Sequence, residues 1–102
     1  MAIVMIMEWQ EVTRATYDAV RAEVDWVGNP PAGGILHVAG FDEVKGMRVV
    51  DVWESAADFQ NFSGGRIAES MQKAGLTTEP KVEFFPVYKL DVQDLAALQA
   101  LH

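Results

Sequence analysis

The sequence of 102 residues contains no cysteine. A disulfide framework, thiolate metal sites and thiol nucleophiles are therefore excluded together. Basic residues are also scarce, because eight Lys and Arg stand against fifteen Asp and Glu and give a formal net charge of −7. That sign of charge argues against nucleic acid, or an anionic membrane surface, as a partner.

Long apolar runs are missing as well. The longest, residues 2–7, is far too short to span a bilayer and lacks the basic flank of a signal peptide. We therefore expect a cytoplasmic protein with no membrane partner. The length predicts a single domain over residues 1–102 with one hydrophobic core.

Four stretches have the composition of strands. Residues 2–9 and 47–54 are rich in apolar and β-branched side chains on both faces, which is typical of strands in the middle of a sheet. Residues 35–41 and 47–54 flank a short polar connection that predicts a β-hairpin, with Gly46 at a position that needs positive φ. Residues 81–90 alternate as a fourth strand, which Pro86 confines to a sheet edge or a bulge.

Two helices are expected between the strands, and a short one at the end. Thr13 is the predicted N-cap of a first helix that runs to about Trp26. Asp91 is the predicted cap of a short C-terminal helix or tail in residues 91–102.

The second helix carries clear signals at its start and its middle. Ser55 and Asp58 match a capping box in its acidic form, so a helix is expected from Ser55 to about Lys73. Two adjacent glycines, residues 64 and 65, cost about 2 kcal/mol relative to alanines inside a helix. We therefore predict a kink or break at that point.

The resulting order, β-α-β-β-α-β, predicts an α+β protein with the ferredoxin-like fold. In that fold a four-stranded antiparallel sheet has its first and third strands in the centre. Helices cover only one face of such a sheet, and the other face here would carry a row of apolar side chains. A homodimer formed through that face is the expected solution.

With this architecture, the chain resembles the dimeric α/β-barrel superfamily and, within it, the antibiotic-biosynthesis-monooxygenase-like group. The resemblance covers nearly the whole chain and is strongest where a strand ending in Trp-x-Ser precedes an amphipathic helix. It is carried by residues 49–55 with Phe59 and Phe62, by residues 34–40, and by Arg66 and Ile67 with Gly75 and the closing strand at residues 80–88.

The resemblance implies the cofactor-independent oxidation of a hydrophobic aromatic small molecule by a homodimer, with no cofactor. It equally admits a non-catalytic small-molecule-binding or accessory protein, because the superfamily includes members without known activity. Haem-degrading relatives combine the tryptophan with an asparagine in the first strand and a histidine in the second helix. Residues 5–7 of this chain are Met-Ile-Met, and no histidine occurs in residues 55–75, so haem is not expected.

The predicted catalytic residues are His37, Asp51 and Trp53. An imidazole titrates near neutrality, so His37 can deprotonate or orient a phenol, although a histidine satisfied within the core fits the same pattern. If the hairpin turn is centred on Val44, His37 faces Asp51 and Ile35 faces Trp53 on the neighbouring strand. A four-residue turn would shift the register by one residue and send Asp51 to the opposite face.

Five further side chains are predicted to contact the substrate. On an ideal helix, Arg66 and Ser70 share the inward face of two phenylalanines, although the glycine break could equally rotate them to solvent. Metal catalysis is not expected, since His37 and the terminal His102 provide no cluster of nitrogen ligands. The predicted substrate-binding residues are Tyr17, Phe59, Phe62, Arg66 and Tyr88.

Overall fold

The computed structural model describes residues 1–101. A π-helical turn, Ser63–Ile67, joins the second and third α-helices into one continuous helical segment. In chain order the elements are β1 (Ile3–Trp9), α1 (Arg14–Glu23), β2 (Gly34–Asp42), β3 (Gly46–Trp53), α2 (Ala56–Phe62), α3 (Ala68–Lys73), β4 (Lys81–Pro86) and α4 (Leu95–Ala100).

The four strands form one antiparallel sheet in the order β2-β3-β1-β4. The ferredoxin-like fold predicted from the sequence is therefore confirmed. The two strands that are apolar on both faces, β1 and β3, lie in the centre of the sheet. The proline-bearing strand lies at an edge, as expected, because Pro86 has no N–H to donate to a further ladder. No helix among residues 1–101 is long and apolar enough to cross a membrane.

The two faces of the sheet differ sharply in exposure. On the face covered by the helices, the alternate residues of β3 from Met47 to Trp53 are each 4% exposed or less. On the opposite face, Val38, Val50 and Phe85 are 51%, 42% and 45% exposed, although Val52 on the same face is only 6% exposed. The uncovered apolar face predicted from the sequence is present in the described chain.

The hairpin between β2 and β3 has the register of a turn centred on Val44. The Asp42 carboxylate accepts hydrogen bonds from the backbone amides of Val44 and Lys45, and Gly46 closes the turn at φ 74°. His37 consequently lies directly opposite Asp51.

One predicted pairing in this hairpin is wrong. Trp53 pairs with Gly34 rather than with Ile35, because the register shifts between Gly34 and Leu36. Ile35 is the extra residue of a bulge and is more than half exposed. The bulge leaves the register at His37 unchanged.

The first helix begins as predicted and ends early. Thr13 caps it by accepting from the amide of Thr16, but the helix stops at Glu23 rather than at Trp26. Asp25 adopts a left-handed conformation with φ 52°, and its carboxylate accepts from the amide of Gly28. This local hydrogen bond holds the chain in a turn, so that Trp26 lies outside the helix.

The second helical segment begins at the predicted cap, because the Ser55 hydroxyl accepts from the amide of Asp58. The irregularity expected at residues 64 and 65 takes the form of the π-helical turn, and Gly75 at φ 79° follows the end of the segment. A π turn contains one residue more than an α turn, so the side chains after it are rotated from the ideal wheel.

The end of the chain departs from the predicted boundaries. β4 stops at Pro86 rather than at residue 90, and the cap of the last helix is Asp94 rather than Asp91. β4 lies at one edge of the sheet, and Leu98 and Leu101 of the tail line a groove together with residues of β2 at the other edge.

A long-range contact holds the segment that leads into β4. The Glu11 carboxylate accepts hydrogen bonds from the amides and the hydroxyls of Thr77 and Thr78, at 2.7 to 3.0 Å. The bond from the Thr78 amide is the leading cause that lowers the pKa of Glu11 from its ordinary 4.5 to about 2. The chain entering β4 is thereby tied to the turn after β1.

We predict that Glu11 stabilises the fold only while its carboxylate is ionised. Because its pKa in the folded state is lowered, the contribution is complete above about pH 4.5 and is lost as the pH falls towards about 2. Glu11→Gln should have a lower Tm than the parent at pH 7, and the gap should close on acidification. Thermal unfolding followed by circular dichroism measures this. Glu43→Gln, at an exposed glutamate of the hairpin turn, should show no such gap, and a gap independent of pH would contradict the prediction.

Candidate functional site

A buried carboxylate lies at the centre of the face covered by the helices. Asp51, in the central strand β3, is 3% exposed. Its Oδ1 lies 2.6 Å from Nδ1 of His37 on the neighbouring strand, and its Oδ2 accepts from Nε1 of Trp53 at 3.0 Å. The three predicted catalytic side chains therefore form one hydrogen-bonded group.

This arrangement determines which ring nitrogen of a neutral His37 carries the proton. An ionised carboxylate only accepts hydrogen bonds, so Nδ1 of His37 must be the donor to Asp51. Nε2 is then the free acceptor of the imidazole, and it lies 2.7 Å from the Tyr17 hydroxyl. The basic nitrogen thus points away from the strand and towards α1.

Helix α1 supplies the next two members of the group. The Tyr17 hydroxyl donates to His37 and accepts from the guanidinium of Arg21 at 3.3 Å, one helical turn further on. Burial raises the pKa of the Tyr17 phenol, and the charge of Arg21 partly opposes this effect. Trp26, freed from the helix by the turn at Asp25, places its ring centroid 4.5 Å from that of His37.

Two spaces meet at this group. The first, which we call the inner cavity, is about 80 Å³ and lies between the sheet and the helices, with Met5, Met7, Val49 and Phe62 in its lining. The second, the outer groove, is about 1030 Å³ and is bounded by Arg14, Pro30, Pro31, Leu98 and Leu101 among others. Five residues line both spaces, namely Tyr17, Arg21, Trp26, His37 and Trp53.

The predicted substrate-binding residues divide into two sets. Tyr17 lines both spaces, and Phe59 and Phe62 line the inner cavity. Arg66 lies elsewhere, because its guanidinium donates to the backbone carbonyls of Val24 and, at 2.7 Å, Asn29.

Neither Arg66 nor Tyr88 is placed at the site. Arg66 lies within the π turn, and its guanidinium binds backbone carbonyls at and beyond the end of α1. Tyr88 follows the early end of β4 and is 91% exposed. Ser70 is buried, and its hydroxyl donates to Glu23 rather than into the cavity.

Sequence reasoning missed Arg21, Trp26 and the leucines of the tail. Once Tyr17 is placed at the site, Arg21 is expected there too, because residues four apart share one face of a helix. Trp26 follows the helix in an irregular turn, and periodicity says nothing about a side chain there. Leu98 and Leu101 reach the groove through the path of the tail, which no local pattern indicates.

No group of three or more His, Asp or Glu side chains within residues 1–101 has a geometry that could hold a metal ion. His102, the second histidine of the sequence, lies outside the described residues.

Solved structures with the same fold include proteins of several kinds. A putative antibiotic biosynthesis monooxygenase from Caulobacter crescentus aligns with TM-score 0.58 and 14% identity over 86% of this chain and 89% of its own. A monooxygenase from the gene ActVA-Orf6 of Streptomyces coelicolor, in complex with the ligand nanaomycin D, aligns with TM-score 0.50 and 16% identity over 91% and 92%. The chain shares their fold.

A protein of unknown function from Nitrosomonas europaea is similar to the same degree, with TM-score 0.58 and 19% identity over 91% of this chain and 93% of its own. No family model matches the sequence, and no curated protein matches it either. The resemblance to the monooxygenase-like group is thus supported at the level of the fold.

We predict that the neutral imidazole of His37 carries its proton on Nδ1. In Asp51→Asn, the amide oxygen can accept from Trp53 while the amide nitrogen donates to Nδ1, so the proton should move to Nε2 of His37. Long-range ¹H–¹⁵N correlation spectra distinguish the two tautomers. Asp91→Asn, an exposed aspartate of the tail, is the matched control and should retain the parent spectrum. A tautomer unchanged by Asp51→Asn would contradict the assignment.

Proposed function

We propose that the protein oxidises a hydroxylated aromatic small molecule with dioxygen and without a cofactor. The observation that carries the proposal is the hydrogen-bonded series from Asp51 through His37 to Tyr17, which ends where the outer groove meets the inner cavity. A base oriented by a carboxylate, beside aromatic walls, is what the deprotonation of a phenol requires.

The series provides a path for the proton of the substrate. A phenolic hydroxyl in the groove donates to the oxygen of Tyr17 as Tyr17 donates to Nε2 of His37. Asp51 stabilises the imidazolium that forms, because its carboxylate already accepts from Nδ1. No free tyrosinate is needed, which suits a phenol whose pKa is raised by burial.

The groove is also suited to an aromatic anion. Arg14 lies over the ring of Phe41 and Arg21 over that of Trp26, at 4.9 and 5.6 Å. Neither guanidinium forms an ion pair with a carboxylate among residues 1–101. In a chain of net charge −7, these two cations favour a phenolate at the groove over the neutral phenol.

The proposed reaction balances with one dioxygen. The phenolate gives electrons to dioxygen, and a ring carbon bonds to one oxygen atom to form a peroxide, which takes the proton from the imidazolium. Loss of the ring proton then breaks the O–O bond, so that a quinone oxygen forms and the second oxygen atom leaves as water. The overall change is hydroxyarene plus dioxygen to quinone plus water.

A non-catalytic binding protein is the second candidate, and one observation favours it. Nε2 of His37 already has a partner in Tyr17 at 2.7 Å, as it would in a buried network that serves stability alone. In that case the groove binds its aromatic ligand without transferring a proton.

We further propose a homodimer formed through the sheet face remote from the helices. Val38 and Val50 are opposite each other in the ladder, and Phe85 lies on the same face of the sheet. These exposed apolar side chains therefore belong to one surface and are not scattered singly. The tail carries several exposed apolar residues from Leu90 to Leu101, and those that do not line the groove, such as Val92 and Leu95, would add contacts with the partner.

The function is tested by oxygen uptake with a panel of hydroxylated polycyclic aromatic compounds. His37→Gln should retain binding and lower the rate of uptake by about 10² to 10⁴-fold, the usual contribution of a positioned acid or base. Trp26→Leu should instead weaken binding, since it removes an aromatic wall of the groove. Measurable binding without uptake by the parent would establish the second candidate, and a His37→Gln rate equal to that of the parent would refute the role of His37.

The dimer is tested by sedimentation at micromolar concentration. The parent should sediment at twice the 11.3 kDa of the chain, and Val50→Arg should sediment as the monomer because it places a charge in the apolar face. Val44→Arg, at the 76% exposed tip of the hairpin, is the matched control and should remain dimeric. A parent that sediments only at 11.3 kDa would refute the proposal.

A further inference from the structure

The inner cavity has a lining that suits a very small apolar molecule. Four of the five methionines in the sequence line it, together with buried aliphatic and aromatic side chains of the core. Thioether and hydrocarbon groups offer dispersion contacts and no strong hydrogen bonds. The four are Met5, Met7, Met47 and Met71.

The polar side chains at the cavity are already engaged. His37 is bonded to Asp51 and Tyr17, and Asp51 to Trp53. Among residues 1–101, no buried side-chain nitrogen or oxygen lacks a partner. Water in the cavity would find few groups to bond with, and apolar cavities of this kind remain dry.

The size of the cavity excludes the aromatic substrate. An engineered apolar cavity of about 150 Å³ admits benzene or xenon, and the inner cavity is about 80 Å³. A polycyclic molecule therefore belongs in the outer groove, and only something smaller than benzene fits behind it.

The position of the cavity links it to the proposed chemistry. His37 and Trp53 line both spaces, so the inner cavity adjoins the part of the groove where a phenolate would form. The reaction proposed above requires an apolar diatomic co-substrate that meets the phenolate away from water.

We propose that the inner cavity is the dioxygen site of this protein. The inference rests on the proposed function for its role in turnover, but occupancy of the cavity by dioxygen is a separate property. Dioxygen would reach the aromatic ring from the methionine-lined side, while the phenolic hydroxyl faces Tyr17 in the groove.

Dioxygen is paramagnetic, so its occupancy is measured directly on protein labelled with ¹³C at the methionine methyl groups. Under dioxygen pressure, relaxation of the Met5 and Met47 methyls should be enhanced more than that of Met1, although they are 1% and 3% exposed and Met1 is 91% exposed. Enhancement that simply follows exposure, strongest at Met1, would overturn the proposal. This measurement needs no substrate.

A cavity-filling variant tests the role in turnover. Val49→Ile adds one methylene to the lining and should diminish the relaxation enhancement and raise the KM for dioxygen several-fold, with the KM for the aromatic substrate unchanged. Val44→Ile makes the same change at the exposed hairpin tip and should match the parent. A KM for dioxygen unaffected by Val49→Ile would overturn the proposal for the reaction. If no compound supports oxygen uptake, the proposed function fails, and the relaxation measurement still decides whether dioxygen occupies the cavity.

Discussion

The burial of one carboxylate in the central strand constrains the remainder of the site. A charge removed from water is costly unless donors compensate it, and Asp51 has two such donors, the imidazole of His37 and the indole of Trp53. A hairpin register shifted by one residue would place His37 and Asp51 on opposite faces of the sheet, so that the two side chains could not pair. The hydrogen bond that compensates the buried carboxylate of Asp51 therefore also orients the imidazole of His37.

The same hydrogen-bonded group includes side chains of the first helix. Nε2 of His37 is directed at α1, and Tyr17 and Arg21, one turn apart, complete the series from that side. Helix α1 is in turn held to α3, because Glu23 accepts from Lys73 at 2.8 Å and from Ser70 at 3.2 Å. The position of α1 therefore fixes the partner of Nε2 of His37.

Much of this could be predicted from the sequence because the signals are local. The strand alternation placed Asp51 and Trp53 on one face, whereas the hairpin residues 42–46 left two registers open, and the structure has the one that brings His37 opposite Asp51. Where prediction failed, distant contacts or irregular backbone decided the outcome. Trp26 reaches the site because of the left-handed residue before it, the tail joins residues of the far edge strand in lining the groove, and an ideal helical wheel does not describe Arg66 within the π turn.

The π turn has a consequence for comparing this chain with others. A turn of this kind contains one residue more than the α-helical turn it replaces, so it is equivalent to a single insertion in an otherwise continuous helix. A β-carbon added at Gly64 or Gly65 would meet nothing within 4 Å, so space alone does not require glycine there. An alignment to a relative with a plain helix therefore needs a one-residue gap within Ser63–Ile67. Without the gap, every position of α3 would be matched to a neighbour about 100° away around the axis.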